Sequence, residues 1–566
     1  MKAFVPWTLA LCLLLASRAP GEPLYAGGAV ATAYPLATDA AVAMMNAGGT
    51  AADAAAAAAF VLAVVAPYHS GLGGGGFAVS YDAASQKVEV LDFREVAPTA
   101  ATRDMFVRNG QLVPHLSRDG ALSVAVPGAV AGYVALQKAH GRLTRSQVLA
   151  PAIAAAKNGF AVTPLYARLA KERLECLRQH ADSARLFLRP DEKQQPQVPL
   201  LGTRIVQPEL MQLLRAIAHR GAAVFYQGRT AAALVTGLRN AGGLLTEADL
   251  RTYKTRPREP LWGSYRGHRM VTLPPPSAGG VSLLQTLGVW ERRFPNGFAF
   301  HAVDALHVYA ETLKRSFADR IRWMGDPDFT PVPVADLLSP QQLDRWAKDV
   351  DLARAATLPQ AVPEPEASKN TTHISVLDKH GNAVSLTTTV NYAFGSCLTP
   401  AGTGVLLNNQ MDDFAAQPGT PNAFGLVTGE ANAVAAGKVP LSSMTPTLVF
   451  HRDSPQSVFL VVGSPGGPTI STTVAQVISN VIDAGMDATR AVAAGRLHHQ
   501  LFPDELFVET WAAEPKTLEA LEQKGHRLFR RYPAWGSVNL IRVDPLTRLV
   551  TAAADPRGEG SAGGQP

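Results

Sequence analysis

Alanine-rich segments near the start of the chain carry apolar residues at helical spacing. Residues 37–46 and 51–66 predict two consecutive helices, and the pair Gly48–Gly49 ends the first of them. Thr50 and Asp53 have the separation of a capping box, in which each side chain binds the backbone N–H of the other residue. The pattern therefore predicts two neighbouring helices with a sharp break between them.

Beyond these helices the pattern divides the chain into regions of different character. Lys87–Phe93 alternates apolar and polar residues, as a half-buried strand does. Residues 120–350 have mostly helical spacing with proline-rich breaks. Residues 355–370 contain three prolines and no strong period, which predicts an extended, exposed linker. Short strands, glycine turns and two helices follow, and we expect the glycine-rich end, residues 556–566, to be disordered.

A threonine-rich hairpin follows the predicted linker. Residues 373–391, HISVLDKHGNAVSLTTTVN, contain two strand-like runs around a turn with one glycine. Folding about that turn pairs positions whose numbers sum to about 761, so Thr371 is expected opposite Val390. Thr389 and Asn391 would then place a hydroxyl and an amide beside Thr371. The alternative is an ordinary edge hairpin, since threonine favours strands.

Two glycine-rich turns differ in what they predict. In residues 458–485 an apolar strand leads to Gly466 and Gly467, and a helix is expected to open at Pro468. Free N–H groups at a helix start can bind an oxyanion, although a tight turn also needs glycine. GLGGGGF, residues 71–77, has the spacing of a dinucleotide site, but a helix precedes it and a strand follows it. That order is reversed, so we interpret it as a close-packed turn.

Three polar motifs lie at predicted turns or strand ends. Together they would supply a cation and hydroxyls for a carboxylate, and carboxylates and amides for an ammonium group, as a zwitterionic amino acid requires. Each also has a structural interpretation: a salt-bridging arginine, a turn-forming aspartate pair and a helix cap. The residues are Arg94 at the end of a strand, Gln410, Asp412 and Asp413 after a predicted strand Gly404–Leu407, and Ser442 and Ser443.

The first 19 residues have the organisation of a secretory signal peptide. One lysine precedes an apolar run, Trp7–Ala16, and Ser17 and Ala19 are small residues at the −3 and −1 positions of a cleavage site. The apolar run is too short to span a membrane. We therefore expect a protein exported to the periplasm or secreted, without a membrane anchor.

Charge and cysteine content restrict the chemistry. The 52 basic and 46 acidic residues are dispersed, which argues against nucleic-acid binding.

Outside the predicted signal peptide only two cysteines remain, Cys176 and Cys397. An exported protein could pair them, but in a core this large two cysteines more often act as small apolar residues, and we favour that interpretation. Two cysteines this far apart exclude a Cys-x-x-Cys metal site. The side chains of the adjacent His498 and His499 diverge on either a helix or a strand, so we interpret them as structural polar groups and not as a metal-binding pair.

Five motifs, in this order, resemble the gamma-glutamyltransferase family of N-terminal nucleophile hydrolases: LDFREVAP, TTHISVLDKHGNAVSLTTTVN, LLNNQMDDF, PLSSMTPT and GSPGG. The resemblance runs from about Gly27 to about Arg557. It implies an α+β fold, a four-layer αββα sandwich with two sheets between helices. It also implies self-cleavage between Asn370 and Thr371, which gives a large subunit, 20–370, and a small subunit, 371–566, as intertwined halves of one fold.

The resemblance also implies the activity, that of a gamma-glutamyltransferase and glutathione hydrolase. Thr371, with its freed α-amine as the base, would attack the γ-carbonyl of glutathione or a related amide and pass the glutamyl group to water, an amino acid or a dipeptide. No metal or cofactor is implied. The resemblance implies that Thr389 is a hydrogen-bond partner of the nucleophile and that Gly466 and Gly467 bind the oxyanion. It implies that the α-carboxylate is bound by Arg94, Ser442 and Ser443, and the α-ammonium by Asn391, Gln410 and Asp413. Phe424 would belong to a lid, residues 418–438.

Two departures and two alternatives accompany this resemblance. Many bacterial members have tyrosine where this chain has Phe424, and a small polar residue is common where it has Pro468. Both departures concern lid closure and rate. One alternative is an acylase of the same fold that removes glutaryl side chains from β-lactam nuclei, but glutaryl lacks the groups that Arg94 and Asp413 would bind. The other alternative is an unprocessed, inactive binding protein.

Overall fold

A computed structural model describes residues 23–357, 370–422, 424–531 and 535–565. The predicted signal peptide and most of the predicted linker lie outside these residues. Two sheets dominate the fold. The seven-stranded sheet contains, in spatial order, Arg256–Arg258, Lys87–Phe93, Gly75–Asp82, Ala383–Thr389, Thr372–Leu377, Ala29–Thr32 and Ser561–Gly564. The six-stranded sheet contains Leu261–Tyr265, His268–Thr272, Thr447–Phe450, Val458–Gly463, Asn539–Val543 and Val550–Ala554.

Helices contribute to the core on the outer side of each sheet. The longer ones beside the seven-stranded sheet are Pro35–Asn46, Ala51–Val65, Ala129–His140, Arg145–Asn158, Pro164–Glu172, Pro208–Arg220 and Gly228–Asn240. Those beside the six-stranded sheet are Gly279–Arg293, Val303–Trp323, Pro340–Asp349, Thr469–Ile482 and Pro515–Gln523. A smaller three-stranded sheet contains Leu497–His498, Leu506–Glu509 and Leu528–Arg531. None of the described helices is both long and apolar enough to cross a bilayer.

Alternation along the central strands separates the core into three layers. Ile374 and Val376 pack into the cluster that the first group of helices forms, whereas Leu377 belongs to the cluster between the sheets. On the facing sheet Leu460 packs toward helices and Val461 toward the other sheet. Successive side chains of a strand point to opposite faces, so each strand contributes to two layers. This is the predicted four-layer αββα arrangement.

Several local predictions are confirmed. The first two helices are Pro35–Asn46 and Ala51–Val65, and the capping box is formed in both directions. Lys87–Phe93 is a strand with the predicted bounds. The glycines before the strand Gly75–Asp82 form a close-packed turn, since a Cβ atom on Gly73 would lie 2.2 Å from the carbonyl oxygen of Leu406.

The predicted register of the threonine hairpin is wrong by one residue. Thr372 pairs with Thr388, so paired numbers sum to 760 and Thr371 lies at the level of Thr389 instead of Val390. The turn sets this register, because the Asp378 carboxylate accepts the backbone N–H groups of residues 380 and 382 and closes a five-residue loop.

Three element boundaries also differ from the predictions. The helix after the glycine pair begins at Thr469, with Pro468 as its cap residue. Gly404–Leu407 is not a strand; only Leu407 forms an isolated bridge, with Gly73. A local bond from the Val405 N–H to the Thr403 hydroxyl competes with ladder pairing there. Ser561–Gly564, predicted to be disordered, forms an edge strand against Ala29–Thr32. Backbone hydrogen bonds to that strand hold it in place, although its small residues offer little side-chain packing.

The interpretation of the two cysteines as apolar residues is also wrong. Cys176 and Cys397 form a disulfide, with their Cα atoms 5.8 Å apart and a separation of 221 positions in sequence. The bond joins the helix Leu174–Arg178 to the loop that follows the strand Ala383–Thr389. Tertiary folding alone brings the two together, since no local pattern relates them.

Candidate active site

Thr371 lies directly before a central strand of the seven-stranded sheet. It is buried, with 6% of its surface exposed. Its strand, Thr372–Leu377, pairs with Ala383–Thr389, so Thr389 ends the neighbouring strand at the same edge. The hydroxyl oxygens of Thr371 and Thr389 are 3.3 Å apart. The hairpin therefore brings the two hydroxyls together, as predicted, although through a register shifted by one.

Both hydroxyls converge on the peptide bond before Thr371. The Asn370 carbonyl oxygen accepts hydrogen bonds from the hydroxyls of Thr371 at 2.7 Å and Thr389 at 3.0 Å. The Thr389 hydroxyl in turn accepts the backbone N–H of Asn391 at 2.9 Å, which fixes the direction of its own proton. This carbonyl thus has two hydrogen-bond donors, and one of them belongs to the residue that follows it.

A cavity of about 340 Å³ opens in front of this peptide bond. Ten of the eleven residues predicted for the site line it; Gly466, the eleventh, is adjacent to the lining residue Gly467. Five further lining residues were not predicted from the sequence: Arg320, Leu426, Leu441, Met444 and Ile470. The ten predicted residues that line the cavity are Arg94, Thr371, Thr389, Asn391, Gln410, Asp413, Phe424, Ser442, Ser443 and Gly467.

The glycine pair forms a turn that other residues would strain. Gly466 and Gly467 have φ values of 137° and 56°, and a Cβ atom on Gly466 would lie 2.5 Å from the Thr469 hydroxyl oxygen. Within the described part of the chain neither backbone N–H donates a hydrogen bond. An unused N–H at the cavity wall can stabilise an oxyanion.

One end of the cavity holds opposite charges. Arg94 forms an ion pair with Asp413, whose carboxylate also accepts the Gln410 amide at 2.6 Å. Burial raises the pKa of Asp413, while the Arg94 guanidinium opposes that rise. The Glu95 carboxylate oxygen Oε2 lies 3.6 Å from Arg94 Nη1. Burial raises the pKa of Glu95 to about 8. Asp412 points elsewhere: its carboxylate accepts the hydroxyls of Ser117 and Tyr392.

The adjacent serines lie in an extended turn and not at a helix start. The Ser442 hydroxyl oxygen accepts the Met444 N–H at 3.0 Å, and the Ser442 backbone exchanges hydrogen bonds with Pro276 and Ala278. These contacts hold the turn against the segment that opens the helix Gly279–Arg293.

Phe424 covers part of the cavity. Its ring stacks on Tyr392, with centroids 4.5 Å apart, and a Cβ atom on Gly467 would lie 3.2 Å from it. The Phe424 carbonyl oxygen accepts the Gln500 amide. The residue is buried and forms part of the cavity wall beside Gly467.

Arg320 is the main polar residue that the sequence analysis missed. It lies on the helix Val303–Trp323 and donates from Nη1 to the Ser442 carbonyl oxygen at 3.3 Å. A signal was available, because Leu313, Phe317 and Arg320 recur at the spacing of the buried face of a helix. An arginine on such a face requires a polar environment. Among the described residues no group of three or more His, Cys, Asp or Glu side chains could hold a metal.

Comparison with known proteins identifies the family. The profile of the family described as Gamma-glutamyltranspeptidase matches residues 37–565. The glutathione hydrolase proenzyme of Escherichia coli (strain K12) is 40% identical over 536 residues, 94% of this chain and 90% of that protein. The glutathione hydrolase proenzyme of Pseudomonas aeruginosa PAO1 is 39% identical over 558 residues, 98% and 97% respectively. The cephalosporin acylase from Bacillus halodurans superimposes with a TM-score of 0.83 at 27% identity, and all of both chains is covered. This chain belongs to the gamma-glutamyltranspeptidase family.

Proposed function

We propose that this chain is a self-cleaving gamma-glutamyltransferase and glutathione hydrolase with Thr371 as its nucleophile. The observation that carries the proposal is the arrangement around Asn370: two threonine hydroxyls contact one peptide carbonyl, at the wall of a cavity that carries both a cation and an anion. Relatives of similar length are named glutathione hydrolase proenzymes, which fits a precursor that is cut to become active.

Self-cleavage uses groups already in contact. The Thr371 oxygen adds to the Asn370 carbonyl carbon, the C–N bond breaks, and the hydroxyl proton passes to the released amine. Water then hydrolyses the resulting ester, leaving a carboxylate on Asn370 and a free α-amine on Thr371. The Thr389 hydroxyl, 3.0 Å from the carbonyl oxygen, stabilises the charge that develops there. The products are a large chain, 20–370, and a small chain, 371–566.

The free amine then provides the base that a threonine nucleophile needs. An α-amine has a reference pKa of about 7.7–8.0, so a useful fraction is neutral near pH 7.5. It takes the Thr371 hydroxyl proton as the oxygen attacks the γ-carbonyl, and it returns that proton to the leaving amine. Gly466 and Gly467 hold the oxyanion. The glutamyl ester is released to water, or to an amino acid or dipeptide.

Donor recognition follows from the charged end of the cavity. Arg94, Ser442 and Ser443 bind the α-carboxylate. Asn391, Gln410 and Asp413 bind the α-ammonium. A zwitterionic head group can exchange the Arg94–Asp413 contact for two matched contacts of its own, which keeps both buried charges compensated.

The acylase alternative is less well supported by this site. A glutaryl donor has a carboxylate but no ammonium, so its binding would separate Arg94 from Asp413 without compensating the aspartate. A cephalosporin acylase shares the fold, and the fold therefore does not decide between the two reactions. We also propose, from residues 1–19, that the protein is exported and acts in the periplasm or after secretion.

One assay tests the proposal. Purified protein is supplied with glutathione, with and without a dipeptide acceptor, while free glutamate and the transfer product are quantified. We expect glutamate release without acceptor and a transfer product with it. Glutaryl amide hydrolysis without any turnover of glutathione would support the acylase instead. A single uncut band on a reducing denaturing gel, with no turnover, would support the inactive binding protein.

A further inference from the structure

Arg320 is a buried cation with no carboxylate partner among the described residues. Only 7% of its surface is exposed, and the one hydrogen bond that its side chain makes within the described part of the chain is the 3.3 Å contact from Nη1 to the Ser442 carbonyl oxygen. Its Nε has no hydrogen-bond partner among the described residues, and no described carboxylate lies within 4.0 Å of the guanidinium. Burying an unpaired charge is costly, so such a group calls for an explanation in its surroundings.

The charges around the cavity do not balance. Arg94 is paired with Asp413. Glu95 has a pKa raised to about 8 by burial, so at pH 7 it is mostly neutral. Burial lowers the pKa of Arg320 to about 10, which still leaves it charged at pH 7, with Asp413 favouring and Arg94 opposing that charge. Among the described residues, the cavity lining therefore carries two guanidinium groups and one carboxylate, an excess of one positive charge.

The position of Arg320 connects this excess charge to the serine turn. Arg320 and Arg94 come from different layers of the fold, the first from the helix Val303–Trp323 and the second from the end of the strand Lys87–Phe93, and both line the cavity. Ser442 also lines it, and its carbonyl oxygen accepts the Arg320 hydrogen bond. One side chain thus adds positive charge and holds the backbone of a proposed carboxylate-binding residue.

We propose that Arg320 is a specificity-determining residue that selects donors with an α-carboxylate. It does so through its positive charge, which Asp413 does not cancel, and by holding the Ser442–Ser443 turn in position. The inference rests on the proposed function and extends it. Its contribution concerns the carboxylate alone, so a donor without that group should gain nothing from Arg320. A residue that only supported the fold would affect every donor to the same degree.

The test compares two donors on matched variants. The donors are a γ-glutamyl anilide and the 4-aminobutanoyl anilide, which differ only in the α-carboxylate. Arg320→Met removes the charge at similar side-chain length, and Arg320→Lys retains it. Arg322→Met, at an exposed arginine two residues along the same helix, is the control. Two bands on a reducing gel report that each variant has folded and matured.

For Arg320→Met we expect kcat/KM for the γ-glutamyl donor to fall roughly tenfold to hundredfold, mainly through a higher KM. This is the loss of affinity expected when one interaction with a charged group is removed. The 4-aminobutanoyl donor should change by less than about threefold on the same reasoning. Arg320→Lys should recover most of the loss, and Arg322→Met should behave as wild type. Competitive inhibition by L-glutamate and by 4-aminobutanoate gives the same comparison if the second donor turns over slowly.

Equal losses on both donors, or an unchanged inhibition constant for L-glutamate in Arg320→Met, would overturn the inference and leave the proposed function standing. Wild-type protein that does not turn over the γ-glutamyl donor would overturn both. The ratio between the two donors, and not the absolute rate, therefore reports on Arg320.

Discussion

The hydroxyl oxygen of Thr389 lies 3.0 Å from the carbonyl oxygen of Asn370. The same hydroxyl is 3.3 Å from the hydroxyl of the proposed nucleophile. One side chain therefore contacts both the bond that we propose is cut and the group that we propose cuts it. Two steps, maturation and turnover, can then use the same set of residues.

Removing the nucleophile should stop maturation. We expect Thr371→Ala to remain one chain and to be inactive, while wild-type protein yields a small chain that begins at Thr371 by N-terminal sequencing. Thr389→Ala should still be cut, but roughly tenfold more slowly, because it loses one hydrogen bond to the scissile carbonyl. Continued cleavage of Thr371→Ala at this bond would refute the assignment.

The disulfide should join the two mature chains covalently. Cys176 lies before the proposed cleavage point and Cys397 after it. We expect one band at the full mass on a non-reducing denaturing gel and two bands after reduction. Cys176→Ser should give two bands under both conditions. If non-reduced wild-type protein also separates into two chains, the two cysteines are not bonded in the mature protein.

Asp413 should be required for donors that carry an ammonium group. Removing one partner of a buried charge pair costs roughly 2–5 kcal/mol, so Asp413→Ala should lose on the order of a hundredfold or more in kcat/KM for a γ-glutamyl donor. A glutaryl donor, which has no ammonium, should lose far less. Steady-state kinetics with both donors measures this difference. Losses of the same size would mean that Asp413 does not contact the ammonium.

The ring of Phe424 should control how water competes with acceptors. Stacked aromatic pairs contribute about 0.5–1.5 kcal/mol beyond their burial, so Phe424→Leu should weaken closure roughly threefold to tenfold. The ratio of free glutamate to transfer product at fixed acceptor should rise accordingly. Phe424→Tyr retains the stacking on Tyr392 and should keep or lower that ratio. An unchanged ratio in Phe424→Leu would show that this ring does not limit access of water.

Glu95 should make stability and donor binding depend on pH. Burial raises its pKa from 4.5 to about 8, so the folded protein holds this proton more tightly than the unfolded chain. The associated stability is complete below pH 4.5 and is lost as the pH rises to about 8, by at most about 1.4 kcal/mol per pH unit.

The matched variant is Glu95→Gln, which stays neutral at every pH. We expect the midpoint of thermal unfolding, Tm, to fall less steeply between pH 5 and 9 in this variant than in wild-type protein. Above pH 8 the ionised Glu95 partly cancels the Arg94 charge, so KM for a γ-glutamyl donor should rise in wild-type protein and not in the variant. The Thr371 amine titrates in both proteins and therefore does not confound the comparison. Identical Tm profiles would exclude this role of Glu95.

The sequence by itself determined the local elements and most of the candidate site. Local features can be recognised without the fold, because they depend on hydrogen bonds and side-chain periods within a few residues. Examples are the helix caps, the alternation of Lys87–Phe93 and the glycine turn at 466–467. The resemblance of five ordered motifs to a family supplied the remaining site residues and the four-layer architecture.

Only the tertiary structure decided the contacts between distant segments. The Asp378 turn shifted the hairpin register by one residue, pairing with Ala29–Thr32 turned a glycine-rich end into a strand, and folding joined Cys176 to Cys397. Arg320 illustrates the same limit, since helical spacing can assign it to a buried face but cannot show that this face lines a cavity. Periodicity fixes which side of an element is buried; which partner that side meets depends on packing across hundreds of residues.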